Sequence, residues 1–175
     1  MSHQRQIRLA EAEIARLHAR VHETHRGRDK EAWRRAAAEF RAYRSPIDDL
    51  IDRTYSEDLR DDPELVRFAI DFLECDPHFF RSGYIKEHLL DKLKTVSLTE
   101  AQADRIRDVL VDAVVRRGQR EFRRYCRLAV VLRSDELMSR LAELADGGDP
   151  TVVSRARLML GYLGDVRGES GEPTQ

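Results

Sequence analysis

The run TEAQADRIRDVLVDAVV, Thr99 to Val115, decides the class of fold. Ile106, Val109, Leu110, Ala113 and Val114 fall at i, i+3, i+4, i+7 and i+8, the stripe that a helix turns toward a core, whereas a strand would alternate. Two capping boxes are available at its start, Ser97 with Glu100 and Thr99 with Gln102. In either, a hydroxyl and a carboxylate or amide satisfy free backbone donors reciprocally.

Moving outward, the same spacing recurs in Trp33, Ala36, Ala37 and Phe40, in Ile85, Leu89, Leu93 and Val96, and in Leu137, Leu141, Leu144 and Ala145. Pro46, Pro63, Pro77 and Pro150 directly follow Ser45, Asp62, Asp76 and Asp149. A cap acceptor followed by a residue whose missing N–H costs nothing in the first turn predicts a helix start at each pair. Asp29 before Lys30 to Arg44, the turn at Arg117-Gly118 and Ser134 before Asp135 to Ala145 predict further starts, and nine helices are expected in all. No period-two run of β-branched residues and no hairpin signal is present. The expected fold is all-α. Ile7, Ala10, Ile14, Leu17 and Val21 alternate spacings of three and four, the narrow seam of an N-terminal helix that packs against one or two neighbours. The stretch GDVRGESGEPTQ from Gly164 has too little apolar surface to repay its ordering entropy and is expected to be a loose tail.

At 175 residues the chain is long enough to bury a core without disulfides or a structural metal. The expected organisation is one structural domain: a helical hairpin over 1–45, a helical stack over 46–164 and a disordered tail over 165–175. Thirty-one Lys and Arg against 32 Asp and Glu argue against a globally basic nucleic-acid protein. The longest apolar run, Leu128 to Leu132, is five residues, far short of the roughly 20 that span a bilayer. With no apolar stretch of signal-peptide length near Met1 and only two cysteines, the cytoplasm is the expected location.

Two segments align at an offset of 87 residues, DDPELVRFAIDFLECD from Asp61 and GDPTVVSRARLMLGYLGD from Gly148. Asp62-Pro63 matches Asp149-Pro150, Val66 matches Val153, Ala69 matches Ala156, Phe72 matches Met159 and Leu73 matches Leu160. The second segment resembles a HEAT repeat through Asp149, Pro150, Val153, Ala156, Leu160, Gly161, Leu163, Gly164 and Asp165. In that family an Asp-Pro pair opens a helix, a Val packs in the first turn, an Ala allows close approach and a Leu-Gly-x-Leu-Gly ending closes it. Ser154 stands where the family usually has Arg, and FFRSGYIKE, Phe79 to Glu87, has no counterpart. The resemblance implies stacked antiparallel helix pairs, a right-handed HEAT-like α-solenoid carrying the N-terminal seam helix, and it names no ligand. An irregular all-α globule is the competing architecture, because Asp-Pro caps are common.

Residues that could carry chemistry are few. His18, His22 and His25 lie at i, i+4 and i+7, the weak candidate for a metal site, with three ligands, no cysteine nearby and no HExxH base. No metal and no cofactor is expected. His78 and His88 read as cap-region or surface residues, and Cys75 and Cys126 as small hydrophobes on apolar helix faces. No nucleophile elbow, Walker loop or dinucleotide fingerprint occurs, so the expectation is a protein that is not an enzyme.

Charge is uneven along the chain. Asp48 to Asp76 carries 11 acids against three arginines, and Arg105 to Arg133 carries nine arginines against three acids. In a helix expected from Gln119 to Arg133, Phe122, Cys126, Ala129 and Leu132 mark the buried side. Arg120, Arg124 and Arg127 then form an outward stripe with Arg123 at its flank. Guanidinium pairs bidentately with carboxylate or phosphate, which suits anion recognition. The Arg-rich composition, and pairing with the chain's own acids, are the plain alternatives. Arg81 and Tyr84, in a weaker cluster with Ser82, Gly83 and Lys86, could hydrogen-bond a ligand, and Gly83, expected inside a helix, suggests close packing there. The leading expectation is a non-enzymatic protein-protein interaction scaffold whose partner is acidic where it meets the arginines. A nucleic-acid or phosphate-binding repeat protein is the alternative, a homo-dimer is allowed, and no membrane partner is expected.

Overall fold

The computed structural model describes residues 2–116 and 121–165, the last by its backbone alone. Among them lie nine α-helices, a short 3-10 turn at Leu59–Asp61, and no strand. The helices are α1 His3–Arg26, α2 Lys30–Ala42, α3 Asp48–Ser56, α4 Pro63–Cys75, α5 Ser82–Leu93, α6 Glu100–Val115, α7 Phe122–Val131, α8 Asp135–Ala145 and α9 Pro150–Asp165. No described helix is long and apolar enough to cross a membrane. The chain forms two compact units, 1–86 and 87–175, with the division inside α5. Arg117, Gly118, Arg120 and the tail over 166–175 lie outside the described residues.

Local chemistry explains most of the boundaries. Asp29, Asp62, Ser134 and Asp149 each accept backbone N–H groups in the first turn of the helix that follows. Of the two boxes available before α6, the one formed is Thr99 with Gln102, whose side chains and backbones bond reciprocally. Two Pro pairs behave otherwise. Ser45-Pro46 opens a turn and α3 starts two residues later: Ser45 N–H donates to the Asp48 carboxylate and Ile47 N–H to the Ser45 hydroxyl. Asp76-Pro77 ends a helix instead of starting one. Asp76 closes α4 in the left-handed region at φ 45°, which Asp tolerates through its short polar side chain, and α5 begins only at Ser82. Gly83 therefore sits in the first turn of α5, half-buried, where a glycine's helix-interior penalty does not apply.

In the first unit α4 is the centre. Leu65, Val66, Phe68, Ala69, Ile70, Phe72 and Leu73 are all buried, an apolar surface on nearly every side, and α1, α3 and the 3-10 turn pack around it. The seam of α1 buries Ile7, Ala10 and Leu17 against α2 and α4, its two neighbours. In the stripe of α2 only Ala36 is fully buried, and Trp33 is 38% exposed. Each large apolar side chain buried here contributes about 1.5–3 kcal/mol relative to leaving it in water.

In the second unit α6 packs on α7, α8 and α9, and α9 packs on α7 and α8 as well. Ile106, Val109, Leu110, Ala113 and Val114 are buried as the spacing requires, and so are Ala156, Met159 and Leu163 of α9. Ala69 and Ala156, and Phe72 and Met159, matched between the two similar segments, are buried in their respective units. α9 runs through Gly161 and Gly164, and a side chain at either would meet open space.

The second unit closes its helix ends with arginine. The last carbonyls of a helix have no partner within it and carry its negative dipole end. Arg155 of α9 donates to the carbonyls of Val114 and Arg116 at the end of α6. Arg107 of α6 donates to Leu132 O after α7 at 3.0 Å, Arg157 of α9 to Ala145 O of α8 at 3.4 Å, and Arg133 to Leu163 O in the last turn of α9 at 3.0 Å. Part of the arginine richness is thus spent inside the fold.

Candidate functional site

The charge contrast read along the chain is largely discharged locally. The first unit holds 16 Lys and Arg against 17 Asp and Glu, and the second 15 against 15. Within the acidic stretch Arg53 gathers Asp62, Glu57 at 3.0 Å and Glu64 at 2.9 Å, so that three carboxylates share one guanidinium.

The arginines of α7 divide. The helix starts at Phe122, and Phe122, Tyr125, Cys126, Leu128 and Ala129 are buried, which turns Arg123 and Arg127 outward. Arg124 departs from the expected free stripe: its guanidinium is bound to Asp91 and lies 3.6 Å from Glu87, both on α5 within the same unit. Those acids sit 33 and 37 residues away, too far for the helical pattern of α7 to reveal them. Arg123 and Arg127 are exposed, and neither has an ion pair among the described residues. Arg120 lies outside the described residues.

The histidines come together only as a pair. His18 and His22 approach at 3.2 Å between their Nε2 atoms, while the His25 ring stands edge-on to Trp33 at 5.9 Å between centroids. No group of three metal-capable side chains occurs among the described residues. Cys75 and Cys126 behave as packed thiols: burial raises both from the ordinary thiol value, Cys126 to about 11, which keeps them protonated and poorly nucleophilic.

Arg81 and Tyr84 do meet in one place, an open cleft of about 640 Å³ in the first unit. One wall is the end of α2 and the start of α3, with Phe40, Arg41, Tyr43, Arg44, Asp48, Asp52 and Tyr55. The other is the 77–81 connection and the first turn of α5, with Phe79, Phe80, Arg81, Tyr84 and Ile85. Tyr55 is 53%, Tyr84 55% and Phe80 71% exposed, large rings in water around a single concavity. The phenols of Tyr43 and Tyr55 are raised from their usual value by burial first. Glu13 and Asp48 add to this at Tyr43, and Arg81 opposes it at Tyr55.

The 77–81 connection is held on both sides. His78 N–H donates to the Glu11 carboxylate of α1 at 2.7 Å, Phe79 N–H donates to the Ser82 hydroxyl at 3.2 Å, and the Phe79 ring meets Phe72 edge-on. Arg81 follows in the left-handed region at φ 75°, a conformation that costs an L-residue about 1–2 kcal/mol. On either side of the connection in the chain, Asp76 and Lys86 form a buried pair at 2.5 Å, 7% and 2% exposed. Of the cleft's guanidiniums, Arg44 lies 3.5–3.6 Å from Asp48, Asp49 and Asp52. Arg41 and Arg81 are exposed and have no ion pair among the described residues. Tyr55 and Arg41 carry no signal in the sequence, and Phe80 only its place in the unmatched FFRSGYIKE run, because side chains brought together from α2, α3 and a loop share no periodic pattern.

No family model matches this chain, and comparison with curated proteins and with solved structures returns no match.

Proposed function

We infer that the protein is a non-enzymatic interaction module, a short stack of antiparallel helix hairpins of the HEAT-like kind, that receives part of a partner protein in the cleft of its first unit. The observation that carries the reading is the cleft itself: Tyr55, Phe80 and Tyr84 stand open to water around it, with Arg41 and Arg81 beside them. Exposed aromatic clusters with Arg on a rigid support are the anchors on which protein interfaces concentrate their binding energy. Support for the stack comes from the second unit, where α6 lies on α8 and α7 on α9, the layer contacts that two successive hairpins α6–α7 and α8–α9 require. The matched Asp-Pro caps of α4 and α9 agree with it.

The test is affinity capture from the native cell with the full chain and with Phe80→Asp, Tyr84→Asp. A protein retained by the wild type after nuclease treatment and lost with the double variant is the expected result. Nothing retained, or retention that survives the double variant, overturns the reading.

A second reading, nucleic-acid binding, is favoured by the outward pair Arg123 and Arg127, one turn apart on α7. It requires that a short duplex or single strand bind with an affinity that falls steeply with salt and is lost in Arg123→Glu, Arg127→Glu. Absence of binding at low salt removes it.

A further inference from the structure

We propose that the hollow at the tip of the α1–α2 hairpin is a binding site for a nucleoside monophosphate, with the base laid on the Trp33 indole and the phosphate held by Arg28, Lys30 and Arg34. The site is separate from the cleft around Phe80 and Tyr84 and stands apart from the interaction-module reading. It measures about 560 Å³, within the about 300–1,000 Å³ that small-ligand sites occupy, and its lining includes His25, Arg28, Asp29, Lys30, Trp33 and Arg34.

Charge fixes the sign of the ligand. Three cations line the hollow against one carboxylate, a net of +2 with His25 left aside. That carboxylate is already committed: Asp29 accepts the N–H groups of Glu31 and Ala32, both at 3.0 Å, as the cap of α2. Glu23 and Glu31, the other acids near the turn, do not line the hollow, and Glu31 faces Arg35 at 3.7 Å. Arg28, Lys30 and Arg34 are exposed and have no ion pair among the described residues. Like charges gathered in one concavity repel until an anion enters. A phosphomonoester, about −2 at neutral pH, matches the excess, where a single carboxylate would only halve it. Guanidinium and ammonium groups are suited to hold its oxygens.

The ring is fixed by Trp33. It is the only tryptophan in the chain and 38% exposed, with His25 edge-on at 5.9 Å between centroids. A nucleobase stacks on such a ring whatever its identity. Lys30, Trp33 and Arg34 fall at i, i+3 and i+4, so α2 presents all three on one face, with a turn of helix between the ammonium and the indole. A sugar fills that interval between phosphate and base, and a phenyl phosphate has nothing to put there.

Arg28 adds a third observation. It takes the left-handed region at φ 61°, while Gly27 beside it, the residue that this conformation suits, is right-handed at φ -70°. A turn built only to reverse the chain would place glycine at 28. The guanidinium is kept there at a conformational cost, and it lines the hollow.

The experiment reads the emission of Trp33, which as the sole indole reports this site alone, while the full chain is titrated with AMP. Quenching is expected with a Kd below about 100 µM at low salt, weakening as salt rises. Adenosine, which lacks the phosphate, and phenyl phosphate, which lacks the base, are each expected to bind at least about tenfold more weakly. Arg28→Gly is expected to weaken AMP about fivefold or more while leaving the urea midpoint unchanged or higher, because glycine relieves the turn, so no folding defect can account for the loss. Lys30→Glu should weaken AMP by at least as much, and Arg5→Glu, at the other end of α1, should leave it unchanged. A Kd above about 100 µM, adenosine or phenyl phosphate binding as tightly as AMP, or indifference to either Arg28→Gly or Lys30→Glu overturns the proposal. A single-stranded oligothymidylate without terminal phosphate that displaces AMP at lower concentration puts a strand there in place of a free nucleotide and overturns it as well.

Discussion

Replacing Lys86 by methionine would leave the Asp76 carboxylate, 7% exposed, without the ammonium that now stands 2.5 Å away. His78 Nε2 lies 3.4 Å from the other oxygen of Asp76, but that ring is largely in water and cannot replace a buried cation. Removing one partner of a buried pair costs about 3–5 kcal/mol, because the survivor keeps its desolvation penalty and loses its attraction. Asp76→Asn removes the carboxylate of the pair while preserving the left-handed end of α4, which asparagine tolerates. In the double variant both penalties disappear with the attraction, so it should lie within about 1–2 kcal/mol of the wild type. The coupling energy is then several kcal/mol. Urea unfolding followed by helical circular dichroism measures all three variants. With a slope of about 1.5 kcal/mol per molar, each single variant should lose about 2 M or more in midpoint. A Lys86→Met protein within about 0.5 kcal/mol of wild type, or a double variant whose loss is the sum of the singles, refutes the view that the pair is an interdependent buried unit.

Arg155→Met, which withdraws the guanidinium from the end of α6, should cost about 1–3 kcal/mol in urea melts, against about 0.5 kcal/mol or less for Arg123→Met on the open face of α7; equal losses would contradict the role given to the carbonyl contacts. Ser134→Ala removes the acceptor of Leu137 N–H at 3.1 Å and should cost about 1 kcal/mol, while Ser139→Ala on the exposed side of α8 should leave the melt unchanged. Burial holds the Cys126 thiol up to about 11, above its unfolded value near 9. The unfolded chain therefore loses this proton first, and the group's contribution is present below pH 9 and disappears as pH rises through about 11. Stability measured across that range should fall less steeply in Cys126→Ala than in the wild type, and identical slopes would contradict the burial.

Five helix starts were legible from a signal within one turn. Asp29, Asp62, Thr99, Ser134 and Asp149 cap as their spacing indicates, and the stripe from Ile106 to Val114 is buried throughout. Asp76-Pro77 misleads because the same dipeptide satisfies two geometries: a carboxylate can cap the start of a helix, or Asp can take the left-handed turn at its end with proline barring continuation. Here Asp76 takes the second geometry, and its carboxylate is met by Lys86, ten residues on. The α7 arginines fail in the same way. Their angular positions on the helix follow from spacing, and Arg123 and Arg127 do point outward, but the acids that take up Arg124 come from α5. The cleft was visible only through Arg81 and Tyr84. Its other rings become neighbours when Ser45 turns the chain from α2 into α3 and Asp76 turns it out of α4, and neither turn has a periodicity that points at the rings.

The arginines that close the helices of the second unit also make its earlier helices depend on its later one. α6 and α8 are translated before α9, yet the guanidiniums that complete them, Arg155 and Arg157, belong to α9. A nascent chain halted before residue 155 leaves the last carbonyls of both helices to water, and such ends fray. α6, α7 and α8 are each finished by a side chain borrowed from another helix and α9 by Arg133 of the α7–α8 connection, so none of the four ends is completed within its own helix.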